Sequence, residues 1–301
     1  MKNYKTVRSN FLLMLTALIW GAAFVAQSVG MEYVGPFTFN SVRSFIGGLV
    51  LIPVIFLFRN EKAEREYKKN DLIAGGILCG IVLAVASSLQ QIGISMGTSS
   101  GKAGFITALY MIMVPFFGIF IGRKVTLKAW IAVVFGILGM YLLCITEDFN
   151  ICMGDIIIFF GAVCFAVHIL VIDIYSPKVN GVKMSCIQFF VSGIVNAVPM
   201  LLFEHPQTTT VIAAWQPILY AGVMSCGVAY TLQIVAQKNT SPVAASLILS
   251  LESVFAVLAG WAVLGDVLTS KEVLGCVLVF FGIILSQLPL ESVLKKKEHT
   301  L

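Results

Sequence analysis

The sequence predicts an all-α integral membrane protein. Its ten transmembrane helices form two inverted five-helix repeats, with both termini on the cytoplasmic side. Three observations carry this: a composition too apolar for water, ten apolar stretches of membrane-crossing length, and an internal repetition. The chain has 301 residues, of which 58% are hydrophobic and 12% charged, against roughly 25% charged in an average soluble domain. Mean hydropathy is +0.95. Twenty Lys/Arg and 15 Asp/Glu cannot cover a core of this size in water. An ordinary cytosolic enzyme, a disordered chain and a secreted disulfide scaffold are therefore excluded.

A hydrocarbon core of about 30 Å requires about 20 apolar residues per helix. The qualifying stretches are 10–29, 36–58, 71–92, 102–121, 129–145, 154–175, 184–203, 211–236, 242–264 and 272–289. Lys2, Lys5 and Arg8 precede the first. Its apolar run is too long for a signal peptide and nine more spans follow, so it reads as a retained anchor. The second opens on Pro36 and carries Arg43, and the fifth is the shortest. The sixth holds His168 and Asp173, and the ninth holds Glu252. Backbone in lipid must satisfy its own hydrogen bonds, so each stretch is a helix in a bundle.

The cations set orientation. With the N-terminus inside, 17 of the 20 Lys/Arg fall on inner segments: Lys2, Lys5, Arg8, five between 59 and 71, Arg123, Lys124, Lys128, Lys178, Lys183, Lys238, Lys295, Lys296 and Lys297. Outer segments hold Lys102 and Lys271, and Arg43 lies within a span. That asymmetry is a positive-inside signal with both termini cytoplasmic. The net charge of +5 therefore marks topology, and no nucleic-acid partner is expected. Cys79, Cys144, Cys152, Cys164, Cys186, Cys226 and Cys276 are scattered singly. They read as small buried hydrophobes, neither bridges nor metal ligands. No cofactor or metal is expected.

The halves resemble each other. At an offset of 145, Pro36–Gly48 (PFTFNSVRSFIGG) falls on Gly181–Gly193 (GVKMSCIQFFVSG), Trp20 on Phe165, and Arg43 on Gln188. At an offset of 142, Gln91 falls on Gln233 and Thr98-Ser99 on Thr240-Ser241. At 143, Thr126 and Gly139 fall on Thr269 and Gly282. Two repeats follow, 10–145 and 154–289, with a basic cytoplasmic tail at 290–301. Five helices is an odd number, so the second repeat enters the membrane inverted. An inverted pair places a pseudo-two-fold axis in the membrane plane and a cavity near the midplane.

Leu15–Phe24 (LTALIWGAAF), Arg43, and Thr240–Gly282 (TSPVAASLILSLESVFAVLAGWAVLGDVLTSKEVLGCVLVFFG) resemble the EamA-type domain of the drug/metabolite transporter superfamily. The resemblance covers nearly the whole chain as two tandem repeats. It implies a ten-helix fold in a bacterial cytoplasmic membrane. It also implies carriage of small organic solutes, often export of amino acids or related metabolites. Two positions depart from the family pattern: Ser253 follows Glu252 where proline is common, and Asp266 follows Leu264-Gly265 where glutamate is common. In the first repeat Pro115 sits five residues beyond the position matching Glu252–Ser253.

A charge at the bilayer centre costs at least about 2.5–3.5 kcal/mol, so intramembrane charges are candidates for function. Glu252, ten residues into its span, can bind a substrate amine or a coupling proton; the alternative is a packing carboxylate bonded to Ser or Tyr. Arg43, roughly 10 Å below the outer face at 1.5 Å per residue, can hold a substrate carboxylate bidentately. Its alternatives are snorkelling, or pairing with Glu32 or a carbonyl. His168 reads as a gating or substrate group or as packing. Asp173, near the inner helix end, reads as solvated or paired with Lys178 or Lys183. Trp20, Tyr110 and Tyr230 can line an aromatic cavity, or simply pack. Gln91 and Gln233 can meet a substrate or join helices. The pairs Gly76/Gly80, Gly93/Gly97 and Gly118/Gly122 read as close-packing sites.

Enzyme motifs fail on context. Gly97–Gly101 matches G-x-S-x-G but joins two membrane helices, whereas a nucleophile elbow needs a strand before it. Lys102 completes no Walker A motif, because position 96 is Met. The expected function is a secondary-active or facilitative transporter that exports small organic metabolites by alternating access, as a monomer or homodimer. An uptake carrier or exchanger of the same fold is the alternative, with a membrane enzyme or non-transporting scaffold behind it.

Overall fold

The computed structural model describes residues 2–57, 68–123, 125–144, 151–259 and 269–287. Arg59, Lys62, Arg65, Lys124, Asp266 and the tail 290–301 with Lys295, Lys296 and Lys297 lie outside the described residues. The described chain is helical, joined by short turns, with no strand among the described residues. In order, the segments are α1 (Lys2–Gly30), α2 (Pro36–Leu57), α3 (Lys69–Ser95), α4 (Ser100–Phe120), α5 (Leu127–Cys144), α6 (Met153–Tyr175), α7 (Gly181–Glu204), α8 (Trp215–Gln237), α9 (Pro242–Leu258) and α10 (Ser270–Gln287). Each apolar stretch of the sequence is occupied by one of them. Seven, α1 to α4 and α6 to α8, are long and apolar enough to cross a membrane. Helices α5 and α9 are shorter apolar helices, and α10 opens with Lys271 and Glu272.

The repeated Thr and Ser positions are helix starts. Ser99 and Ser241 are the N-caps of α4 and α9, with nearly equal backbones (φ −62°, ψ 152° and φ −64°, ψ 150°). The Ser241 hydroxyl accepts from the Ala244 N–H at 3.3 Å. Thr126 does the same for Ala129 before α5, at 3.3 Å. Thr269 accepts from the Glu272 N–H (3.2 Å) before α10, and the Glu272 carboxylate accepts from the Thr269 N–H (2.7 Å). Ser241, Thr126 and Thr269 each satisfy one orphan N–H at a helix start, whereas Ser99 shares the backbone of an N-cap without a side-chain bond.

Both α4 and α9 break at matching places. Leu109 interrupts the first and Ser250 the second, with backbones of φ −60°, ψ −13° and φ −61°, ψ −12°. In α4, Pro115 lies six residues beyond the break and cannot donate to the Met111 carbonyl. In α9 there is no such proline. Instead, the Ser246 and Ser250 hydroxyls donate to the carbonyls of Val243 (2.9 Å) and Leu247 (2.8 Å), competing with the helical ladder.

Equivalent helices pack against each other and run antiparallel. Between α2 and α7, the Ser41 hydroxyl donates to the Gly193 carbonyl (3.1 Å) and the Cys186 thiol to the Gly48 carbonyl (3.5 Å). Higher numbers on one helix thus meet lower numbers on the other. Between α5 and α10, Gly139 lies against the Gly275 carbonyl and Gly282 against the Ala132 carbonyl. At the 143 offset these two contacts are the same contact exchanged. Helix α3 packs on α6, and α8 correspondingly on α1.

The glycine pairs divide. Gly76 and Gly80 face Ile187 and Val191 of α7, and Gly93 faces α6, so these permit close approach. Gly97 and Gly122 take φ of +94° and +78° with nothing near a Cβ. They end helices, a left-handed role that glycine fills without a steric penalty. Two ion pairs join α4 to α6, Lys102–Asp155 at one end and Arg123–Asp173 at the other. Asp173 therefore takes Arg123 as its partner, a residue from the other repeat, where the sequence pointed to solvation or to Lys178 or Lys183; Lys178 lies over the Tyr175 ring.

Candidate functional site

The breaks in α4 and α9 face each other. Tyr110, just past the first, donates its hydroxyl to Glu252 Oε1 at 3.1 Å, just past the second. The two numbers differ by 142, the offset that also relates Gln91 to Gln233. A broken helix turns side chains and backbone polar groups toward a cavity, which is tolerated at membrane depth only where protein or water surrounds it. Here the cavity is narrow, with about 30 Å³ of water-accessible space, room for about two waters.

The walls come from both repeats. Trp20, Phe24 and Gln27 of α1, Arg43 of α2, Gln90 of α3, and Thr107 and Tyr110 of α4 line one side. Phe165 of α6, Ser225 and Tyr230 of α8 and Glu252 of α9 line the other. Trp20 and Phe165, matched at the 145 offset, thus meet the same space. The Trp20 and Tyr230 rings are 4.5 Å apart between centroids. Phe189 sets the back of Tyr230 with an edge contact at 5.6 Å. Gly21 brings α1 against the Glu252 carbonyl, and a Cβ there would come within 2.8 Å of it.

The cavity holds one charge of each sign. Glu252 is 3% and Arg43 5% exposed, so both point into the bundle. The Arg43 guanidinium lies 5.4 Å from the Phe39 ring centroid, and it forms no ion pair with a described carboxylate. An interior position of this kind is incompatible with snorkelling to headgroups. Two lining groups also lack partners among the described residues: the Trp20 indole N–H and the Gln27 side-chain oxygen. Buried donors and acceptors are rarely left unmet, so these are points where a solute or water would bind. The Gln90 amide, by contrast, donates to Thr107 Oγ1 at 2.8 Å. No group of three or more His, Cys, Asp or Glu among the described residues could hold a metal.

Two tandem matches to the model of the EamA-like transporter family cover residues 7–145 and 152–288. The chain belongs to that family. An uncharacterized transporter of Archaeoglobus fulgidus is 31% identical over 288 residues, covering 94% of this chain and 87% of the relative. The uncharacterized transporter YoaV of Bacillus subtilis is 24% identical, covering 89% and 93%. The uncharacterized inner membrane transporter YedA of Escherichia coli K12 is 20% identical, covering 89% and 87%. A protein solved by crystallography shares the fold at a TM-score of 0.75 and 17% identity, covering 93% of this chain and 96% of the other. This EamA-family protein is thus a membrane-embedded transporter rather than an enzyme, with a lipid bilayer around it and a small molecule as its cargo.

Within this EamA transporter, Glu252, Arg43, Trp20, Tyr110 and Tyr230 share one cavity. The other three residues singled out in the sequence lie outside its lining. His168 Nε2 is 2.9 Å from Gln188 Oε1, and its ring meets Tyr230 edge-on at 5.9 Å. Gln91 donates to the Gln27 carbonyl at 3.1 Å, tying α3 to α1. Gln233 is buried within α8 with its side-chain oxygen unpartnered. Sequence reasoning passed over Gln27, Gln90, Thr107 and Ser225. The first had a signal: Trp20, Phe24 and Gln27 fall at i, i+4 and i+7, one helical face. Ser225 had none. It and Tyr230 are five residues apart on the π-helical stretch Tyr220–Tyr230, a wider turn that a 3.6-residue period misplaces.

Proposed function

We propose that this EamA-family transporter is a secondary carrier. It exports a small zwitterionic metabolite, an amino acid or a related compound, by alternating access between two inverted repeats. The carrying observation is the pairing of charges in one cavity: Arg43 suits a carboxylate bidentately, and Glu252 suits an amine. Together they match a solute that is neutral overall but charged at both ends. Trp20 and Tyr230 offer a ring face to its apolar part or its cation. The antiparallel course of α2 against α7 and of α5 against α10 supports inversion, the ten apolar stretches support ten crossings, and the cation asymmetry supports both termini inside. The outward direction rests on the family resemblance. Glu252 is also the residue that would carry a coupling proton.

The test has two steps. Intracellular metabolite pools are compared with and without expression, and each depleted compound is then assayed for flux in proteoliposomes. Depletion of a zwitterion, with vesicle flux that stops in Glu252→Gln, supports the proposal. Accumulation in place of depletion would assign the protein as an uptake carrier or exchanger. No flux of any solute, with none stabilising the purified protein, would sink the transport mechanism.

A further inference from the structure

A second cavity opens at the end of the bundle that carries Lys5. It has about 420 Å³ of water-accessible space, bounded by the start of α1, the α4–α5 connection, the end of α6 and the α8–α9 connection. Its walls include Lys5, Arg123 and Lys238, against one carboxylate, Asp173. Two of its polar groups are buried and unmet among the described residues. Thr240 is 7% exposed and its hydroxyl has no partner. Gln237 is 2% exposed; its amide N–H donates to the Ile169 carbonyl at 3.1 Å, and its side-chain oxygen is left over. A buried hydroxyl without a partner is costly unless a ligand or water meets it.

The first repeat shows what this position holds when it is satisfied. Thr98 matches Thr240 at the 142 offset. The Thr98 hydroxyl donates to Asp155 Oδ1 at 3.0 Å, and Lys102 pairs with the same carboxylate. A threonine hydroxyl and a cation thus hold one oxyanion between them. At the Thr240 end the match of Lys102 at the 142 offset is Ala244, and the match of Asp155 at the 145 offset is Asn10, which carries no charge; the cations there, Lys5, Arg123 and Lys238, come from other positions.

We infer that the Thr240 cavity binds an external oxyanion, a phosphate- or carboxylate-type group, in the role that the Asp155 carboxylate plays at Thr98. The Thr240 hydroxyl donates to it, and Lys5, Lys238 and a further N–H edge of Arg123 supply charge-assisted contacts. Gln237 accepts from a hydroxyl or amine on the same molecule. The site lies apart from the cavity between Tyr110 and Glu252, so its occupancy does not depend on which solute is transported.

Two sources of such an anion exist, a soluble anion and the headgroup of an anionic lipid, and one experiment separates them. The purified full chain is placed in phosphatidylcholine nanodiscs and titrated with inorganic phosphate, with thermal unfolding as the readout. A parallel sample uses phosphatidylglycerol nanodiscs without phosphate. The wild type is expected to gain melting temperature in at least one arm. Thr240→Val and Lys5→Gln are each expected to weaken the apparent affinity by about tenfold or more, the loss of one charge-assisted contact. Lys5 is exposed, so Lys5→Gln keeps the comparison valid if the buried variant fails to fold. A response to phosphate alone assigns a soluble anion, and a response to phosphatidylglycerol alone assigns a lipid. No response in either arm, or an undiminished response in both variants, overturns the inference.

Discussion

The two repeats are alike in backbone and unlike in charge. At the matching helix breaks the first repeat presents Tyr110 and the second Glu252, and these two side chains hydrogen-bond across the join. At the position facing the cavity from α2 the first repeat has Arg43. Its mate in α7, Gln188, faces away to His168. Trp20 in one repeat answers Phe165 in the other, and both line the same space. Duplication therefore supplied a cavity with paired walls, and divergence at a few positions supplied its chemistry. A fully symmetric cavity would carry each of its charges twice or not at all. This one carries a cation from the first repeat and an anion from the second, which gives a bound solute a direction.

Removing the second repeat's charge should have the largest effect. Glu252→Gln is expected to cut flux by roughly 10- to 150-fold, the equivalent of a charge-assisted contact of about 1.5–3 kcal/mol, with expression unchanged. Proteoliposome flux measures it, and a wild-type rate would remove Glu252 from the transport site. Exchanging the equivalents, Tyr110→Glu with Glu252→Tyr, sharpens the comparison. If the positions are interchangeable across the axis, the double variant recovers part of the flux lost by Glu252→Gln. Arg43→Gln then makes the first repeat copy the second. It should raise the apparent KM for a carboxylate-bearing solute about tenfold or more and leave solutes without a carboxylate unaffected; an equal change for both would assign Arg43 to packing.

Smaller effects are structural. Gly21→Ala forces a methyl group against the Glu252 carbonyl and should cost about 1–3 kcal/mol by overpacking. The readout is a lower melting temperature in detergent, accompanied by reduced flux. Tyr110→Phe removes only the hydroxyl and should cost about 1 kcal/mol. It leaves the first repeat's ring in place, so substrate affinity should fall by less than in Glu252→Gln. A larger loss from Tyr110→Phe would mean that the first repeat, not the second, holds the working polar group.

Much of this was legible in the chain. Helix positions followed from apolar runs, because lipid permits few other structures. Thr98-Ser99, Thr240-Ser241, Thr126 and Thr269 marked the repetition, and at Ser241, Thr126 and Thr269 the reason is local: each caps a helix start within one turn. Glu252, Arg43 and His168 stood out as ionisable groups within spans, and Trp20, Tyr110 and Tyr230 as candidate cavity aromatics; of these only His168 lies outside the cavity lining. Pro115 was visible, but not where the helix breaks: the break falls six residues earlier, at Leu109, and at the matching break at Ser250 there is no proline, only the Ser246 and Ser250 hydroxyls bonding the backbone. Lys102 and Arg123 looked like topology markers, yet each pairs with an aspartate of the other repeat.

The sequence by itself determined the solvent, the helices and their caps, the duplication and the short inventory of intramembrane charges. These depend on composition and on neighbours a few residues apart. The tertiary structure decided which of those groups share a cavity and which hold helices together. It set Tyr110 on Glu252, sent His168 to Gln188 and Gln91 to a backbone carbonyl, and left the hydroxyl of Thr240 unmet where that of Thr98 finds a carboxylate. These contacts join residues 20 to 142 positions apart, and no local pattern of residues encodes them.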